Sequence, residues 1–71
     1  MKIKYFSDTD TLYVAFNENE VAETKDIEDH ITVDLDKDGN LVAMTIEHAN
    51  QYTNLDEFSF QKILSQQDTV L

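Results

Sequence analysis

Cysteine, proline, tryptophan and arginine are absent from this 71-residue chain, and glycine occurs once, at Gly39. Without cysteine there is no disulfide, no thiolate-bound zinc or iron–sulfur site and no thiol nucleophile. One glycine cannot build a phosphate-cradling loop, and Ser7, Ser59 and Ser65 lack the glycine-flanked strained turn that presents a nucleophilic serine. Carboxylates are plentiful, but so small a domain rarely encloses the pocket that tunes a pair of them for acid–base work. A non-enzymatic role without a cofactor is therefore expected. No apolar run approaches the ~20 residues of a membrane span. Met1-Lys2-Ile3-Lys4-Tyr5 opens a lysine/apolar alternation, not an apolar leader. The expectation is a cytoplasmic protein with no membrane contact.

Positive charge is scarce as well. Five lysines (Lys2, Lys4, Lys25, Lys37 and Lys62) stand against 15 acids, for a net charge of −10. Phosphate backbones are held by clustered Lys and Arg that displace counterions, so direct nucleic-acid binding is disfavoured. A basic protein partner is favoured, since opposite charge steers encounter. Six of the acids fall between Glu18 and Asp29 against one lysine. If they form one strip at phosphate-like spacing, a nucleic-acid mimic that inhibits a DNA- or RNA-binding protein is the alternative reading.

What is present is patterned for strands. Lys2 to Tyr5 alternates polar and apolar, Ser7-Asp8-Thr9-Asp10 favours a turn, and Thr11 to Phe16 is β-branched and aromatic, with Leu12, Val14 and Phe16 on one face. The stretch from Val21 to Ile27 has no clean apolar face and reads as a solvated edge strand. Ile31, Val33 and Leu35 alternate inward, as do Val42, Met44 and Ile46. Between them Asp36-Lys37-Asp38-Gly39-Asn40 predicts a type I turn closed by a left-handed glycine. Asn54 then looks like a helix N-cap with Glu57 as its reciprocal partner, and Leu55, Phe58, Phe60, Ile63 and Leu64 fall on one broad helical stripe. The expected fold is α+β: one domain over 1–71, with an antiparallel sheet of four or five strands over 1–50 and a C-terminal helix over 54–66 packed on one face. Gln66 onward reads as a frayed tail.

Asp34-x-Asp36-x-Asp38-Gly39 matches the first half of a calcium loop, which makes a divalent-cation-binding domain a further alternative. The twelfth-position carboxylate is missing, because Thr45 stands there, and the flanks read as strands. His30 and His48 lie at two strand ends and would approach each other if those strands pair across the Gly39 turn. The expected interaction residues are Tyr13, Glu18, Glu20, Glu23, Phe58 and Phe60: an aromatic anchor ringed by acids, and two helix aromatics wider than one sheet needs. A chain this small buries only about 60% of its extended surface, and its core supplies about 3–5 kcal/mol. Outside support is therefore expected, from a partner or from a homodimer through the helix or the outer sheet face.

The succession Lys2-Ile3-Lys4-Tyr5, Asp10-Thr11-Leu12-Tyr13-Val14, Val21-Ala22-Glu23-Thr24, Ile31-Thr32-Val33-Asp34-Leu35-Asp36, Gly39, Leu41-Val42 and Ile46 resembles a small family known only as domain of unknown function 2283, over residues 1–50. The family has no established activity. The resemblance implies an antitoxin-like role, because members often sit beside a small basic toxin-like protein. The chain departs from the family pattern at His30 and Ala43, where glycines are common, and at Thr45, where a glutamate is common.

Overall fold

The computed structural model describes residues 1–65 of the chain. β1 (Lys2–Phe6) and β2 (Thr11–Ala15) form a hairpin in which Phe6 lies opposite Thr11 and Ser7 to Asp10 make the connection. β3 (Glu23–Glu28), β4 (Ile31–Leu35) and β5 (Leu41–Glu47) follow, and the single helical turn α1 (Ala49–Tyr52) comes last. All pairings are antiparallel, and the strand order is β1-β2-β5-β4-β3. The first hairpin therefore docks onto the last strand, while β3 is an edge, as its charged pattern predicts. The β4–β5 connection is the expected turn. Gly39 has φ 82°, its amide donates to the Asp36 carbonyl at 3.0 Å, and the Asp36 amide donates to the Asn40 carbonyl at 2.9 Å. Only a residue without Cβ adopts that φ freely.

Side chains directly opposite one another share a face, so the register sorts the sheet. Ile3 and Tyr5 meet Val14 and Leu12; these meet Met44 and Ile46, which in turn meet Val33 and Ile31. A bulge at the start of β5, where Leu35 pairs with Leu41, brings Leu41 and Val42 to the same side. A second bulge, between Asp26 and Glu28, sets Ile27 and Glu28 together on that side, opposite Ile31. On β1, β2, β4 and β5 one face is thus apolar, while β3 adds Glu23, Lys25 and Glu28 to it at the sheet's edge. The opposite face carries Lys2, Lys4, Tyr13, Thr45, Thr32, Asp34, Thr24 and Asp26.

The fold is α+β, with a five-stranded antiparallel sheet and one short C-terminal helix, but the helix is not where the sequence pattern put it. Residues 54–65 carry no helix, and position 66 and the tail after it lie outside the described residues. The Asn54 cap bond does form, its Oδ1 accepting the Asp56 amide at 3.1 Å. Propagation fails. Phe58, Ser59 and Phe60 are middling helix formers, and a helix this short persists only if its stripe packs. Phe58, Phe60, Ile63 and Leu64 are 71–84% exposed, so nothing repays the nucleation cost. Among the described residues the fully buried apolar positions are only Val33, Val42, Ala43 and Ala49. The structure is a single layer, 20 Å along its shortest axis.

Candidate protein-interaction site

Three carboxylates gather where the loop before β3 passes the β4–β5 turn. Asn17 anchors this loop by donating its side-chain amide to the Leu41 carbonyl at 3.0 Å, and its Oδ1 accepts the Asn19 amide at 3.0 Å. The Asn19 side chain then donates to Asp36 Oδ2 at 3.1 Å. The other Asp36 oxygen accepts the backbone amides of Asp38 and Asn40, at 2.9 and 2.8 Å. The Asn40 amide first, then the Asp38 amide and the Asn19 side chain, hold the Asp36 carboxyl below its ordinary value against partial desolvation. A recess of about 570 Å³ results, with Glu20, Asp36 and Asp38 around Val21 and Ala22 and Lys37 alongside.

A second polar cluster ties the two ends of the sheet sequence together. Asp10 has φ 54°, and its carboxylate accepts the Tyr5 hydroxyl at 2.8 Å, the Asn50 side-chain amide at 2.8 Å and the Asn50 backbone amide at 3.2 Å. The Asp10 carbonyl takes the Ala49 amide at 2.9 Å. The Tyr5 hydroxyl, then Asn50, hold the Asp10 carboxyl below its ordinary value, and the same bond raises the Tyr5 hydroxyl. This corner fixes α1 against the first hairpin. It pairs groups 40 and 45 residues apart, which no local pattern signals. The Asn17–Asn19 ladder was missed for the same reason: two asparagines in a loop look like solvated polar residues.

The residues singled out by sequence are divided among several places. Tyr13 lies half-buried on the polar face opposite Lys4 and Thr45, in a hollow shared with Lys2 and Glu18. Its charged neighbours there are Lys2, Lys4 and Glu18, not the ring of acids expected. Glu20 belongs to the recess, two residues on from Glu18 but in a different hollow. Glu23 stands on the β3 edge, 3.9 Å from Lys25. Phe58 and Phe60 border a hollow with Met1 and Ile3.

The acids of β3 alternate between the two faces, and Lys25 interrupts them, so they do not make a one-sided strip. Asp34 accepts the Thr24 hydroxyl at 2.8 Å on the polar face, while Asp36 is occupied by its turn. Asp34, Asp36 and Asp38 do not converge: among the described residues no three His, Cys, Asp or Glu side chains form a cation-holding group. The strand ends that carry the two histidines do meet, the Glu47 amide donating to the His30 carbonyl at 2.8 Å; the His30 ring stacks on Tyr52 at 3.7 Å, and His48, φ 55°, leads into α1. No helix among the described residues is long and apolar enough to cross a membrane.

The model of the family described as protein of unknown function (DUF2283) matches residues 2–50. The chain belongs to the DUF2283 family. No curated protein and no solved structure matches it. The DUF2283 span takes in all five strands, the Asp10 corner and the Glu20–Asp36–Asp38 recess. It ends before the stretch that carries Phe58 and Phe60.

Proposed function

We propose that this DUF2283 protein is a cytoplasmic, antitoxin-like interaction module that binds and neutralises a basic protein partner. The observation that carries the reading is the recess: Glu20, Asp36 and Asp38 surround a small apolar floor at Val21 and Ala22, inside the family span. A lysine or arginine side chain suits such a place, since its aliphatic stem lies on apolar surface while its head meets carboxylate. The Asn17–Asn19–Asp36 bonds hold one carboxylate in position before a partner arrives, which lowers the ordering cost of binding. The net charge of −10 steers a cationic partner towards it.

The test is affinity capture from the native source with the wild-type chain and with Glu20→Gln/Asp38→Asn, which leaves the Asp36 turn intact. The expected result is a small basic protein held by the wild type, released by moderate salt, and held at least tenfold more weakly by the variant. Capture of no basic protein, or equal retention by both chains, contradicts the reading.

A further inference from the structure

β1 is an open edge of the sheet, and all five of its residues are exposed. The ladder shows which of its backbone groups are free. The Phe16 amide donates to the Val42 carbonyl at 2.8 Å, so Leu12, Val14 and Phe16 aim their backbone groups at β5. Tyr13 and Ala15 aim theirs at β1, where they meet Lys4 and Lys2. Ile3 and Tyr5 are left with N–H and C=O pointing away from the sheet, a template for a further strand. Residues 57–60 run beside this edge. Phe58 and Phe60 border one hollow with Met1 and Ile3. Side chains two apart on one side belong to extended backbone, and Glu57-Phe58-Ser59-Phe60-Gln61 alternates polar and apolar as a strand does. The chain arrives from the far end of β1, where the Asn50 side chain of α1 donates to the Tyr5 hydroxyl at 3.0 Å. It reaches Ile3 and Met1 afterwards, so it runs opposite to β1. Among the described residues no backbone hydrogen bond joins 57–60 to β1, and both phenylalanines are 71% exposed.

We propose that residues 57–60 are a strap that closes on β1 as a sixth, antiparallel strand, with Phe58 opposite Ile3 and Phe60 opposite Met1. An antiparallel segment that sets these two phenylalanines against Met1 and Ile3 has this register. Phe58 then exchanges both backbone bonds with Ile3, whose groups are free. The same register sets Glu57 opposite Lys4 and Ser59 opposite Lys2 on the polar face, so opposite charges meet across the strands. Asp56 stays outside the ladder, because Asn54 Oδ1 already accepts its amide at 3.1 Å. Closing the strap covers the edge on which another chain's strand would otherwise add. A short strand at the rim exchanges readily with the open arrangement and adds little to global stability. The edge lies inside the DUF2283 span and the strap outside it. The inference goes beyond the acidic-recess reading and stands apart from it, because Glu20, Asp36 and Asp38 line a different hollow.

Lys4→Cys/Glu57→Cys tests the register in the full chain, which has no other cysteine. The two positions form a non-hydrogen-bonded pair with Cα atoms about 4.5 Å apart, within reach of a disulfide. In a glutathione buffer at low micromolar protein, the expected result is an intramolecular disulfide at least tenfold more stable than that of Lys4→Cys/Gln61→Cys, which lies four residues out of register. Nuclear Overhauser contacts in the unlinked chain give a second readout. A contact between the Lys4 and Glu57 α-protons is expected, and Lys4→Glu, which sets like charges opposite, is expected to weaken it at least twofold. Equal disulfide stability in the two double variants overturns the proposal, and so does a wild-type chain without the Lys4–Glu57 contact.

Discussion

Asp10 and Gly39 each hold a left-handed backbone, for different reasons. Asp10 accepts hydrogen bonds from Tyr5 and Asn50, which depress its pKa in the folded state. A depressed carboxylate stabilises the fold above its unfolded value of about 3.9 and loses that contribution as pH falls through the folded value. The wild type is therefore expected to be more stable than Asp10→Asn at neutral pH, with the gap closing as pH falls through the folded value. Urea midpoints measured from neutral to acid pH check this, and a pH-independent gap contradicts it. Gly39 has φ 82° and nothing within 4 Å of where a Cβ would sit. Gly39→Ala therefore meets no clash and costs only the backbone term, about 1 kcal/mol, while Gly39→Asn costs less because asparagine tolerates this conformation. Denaturant titration of the three chains gives that ranking.

At the scale of elements, the strands were legible because each apolar set repeats every second residue: Leu12, Val14 and Phe16; Ile31, Val33 and Leu35; Val42, Met44 and Ile46. The Asp36–Asn40 turn was legible through its one glycine, and β3 through its charge. The pairing of β2 with β5 was not, since nothing local in either strand names a partner 30 residues away. The helix expected over 54–66 is absent from residues 54–65 because its periodic stripe finds no surface to pack on: Phe58 and Phe60 have only a rim contact. The acidic recess was half-legible: Glu20 was singled out for interaction, and Asp36 and Asp38 for calcium, without a sign that they share a hollow. Phe58→Ser and Phe60→Ser are accordingly expected to change stability by less than about 0.5 kcal/mol. Val33→Ala, at a position 6% exposed, is expected to cost about 2 kcal/mol. Equal losses at all three sites would mean that residues 54–65 pack against the sheet.

At the scale of the whole molecule, one layer with four buried apolar residues among those described cannot hold much free energy against the entropy of ordering the chain. Association with a further chain is the support that a domain of this size calls on when it has no disulfide. The charge of −10 opposes association, and salt screens it over a Debye length of about 8 Å at physiological strength. Added salt is therefore expected to favour self-association of the chain while weakening capture of a basic partner, two opposite responses on one molecule. The most direct test of whether so small a sheet is supported by a second copy of the chain is the thermal midpoint as a function of protein concentration. A fold that exists through association melts at higher temperature as protein concentration rises, because only the folded state is a dimer. The account predicts a Tm that climbs steadily across the micromolar range. A Tm that stays constant over that range would contradict it.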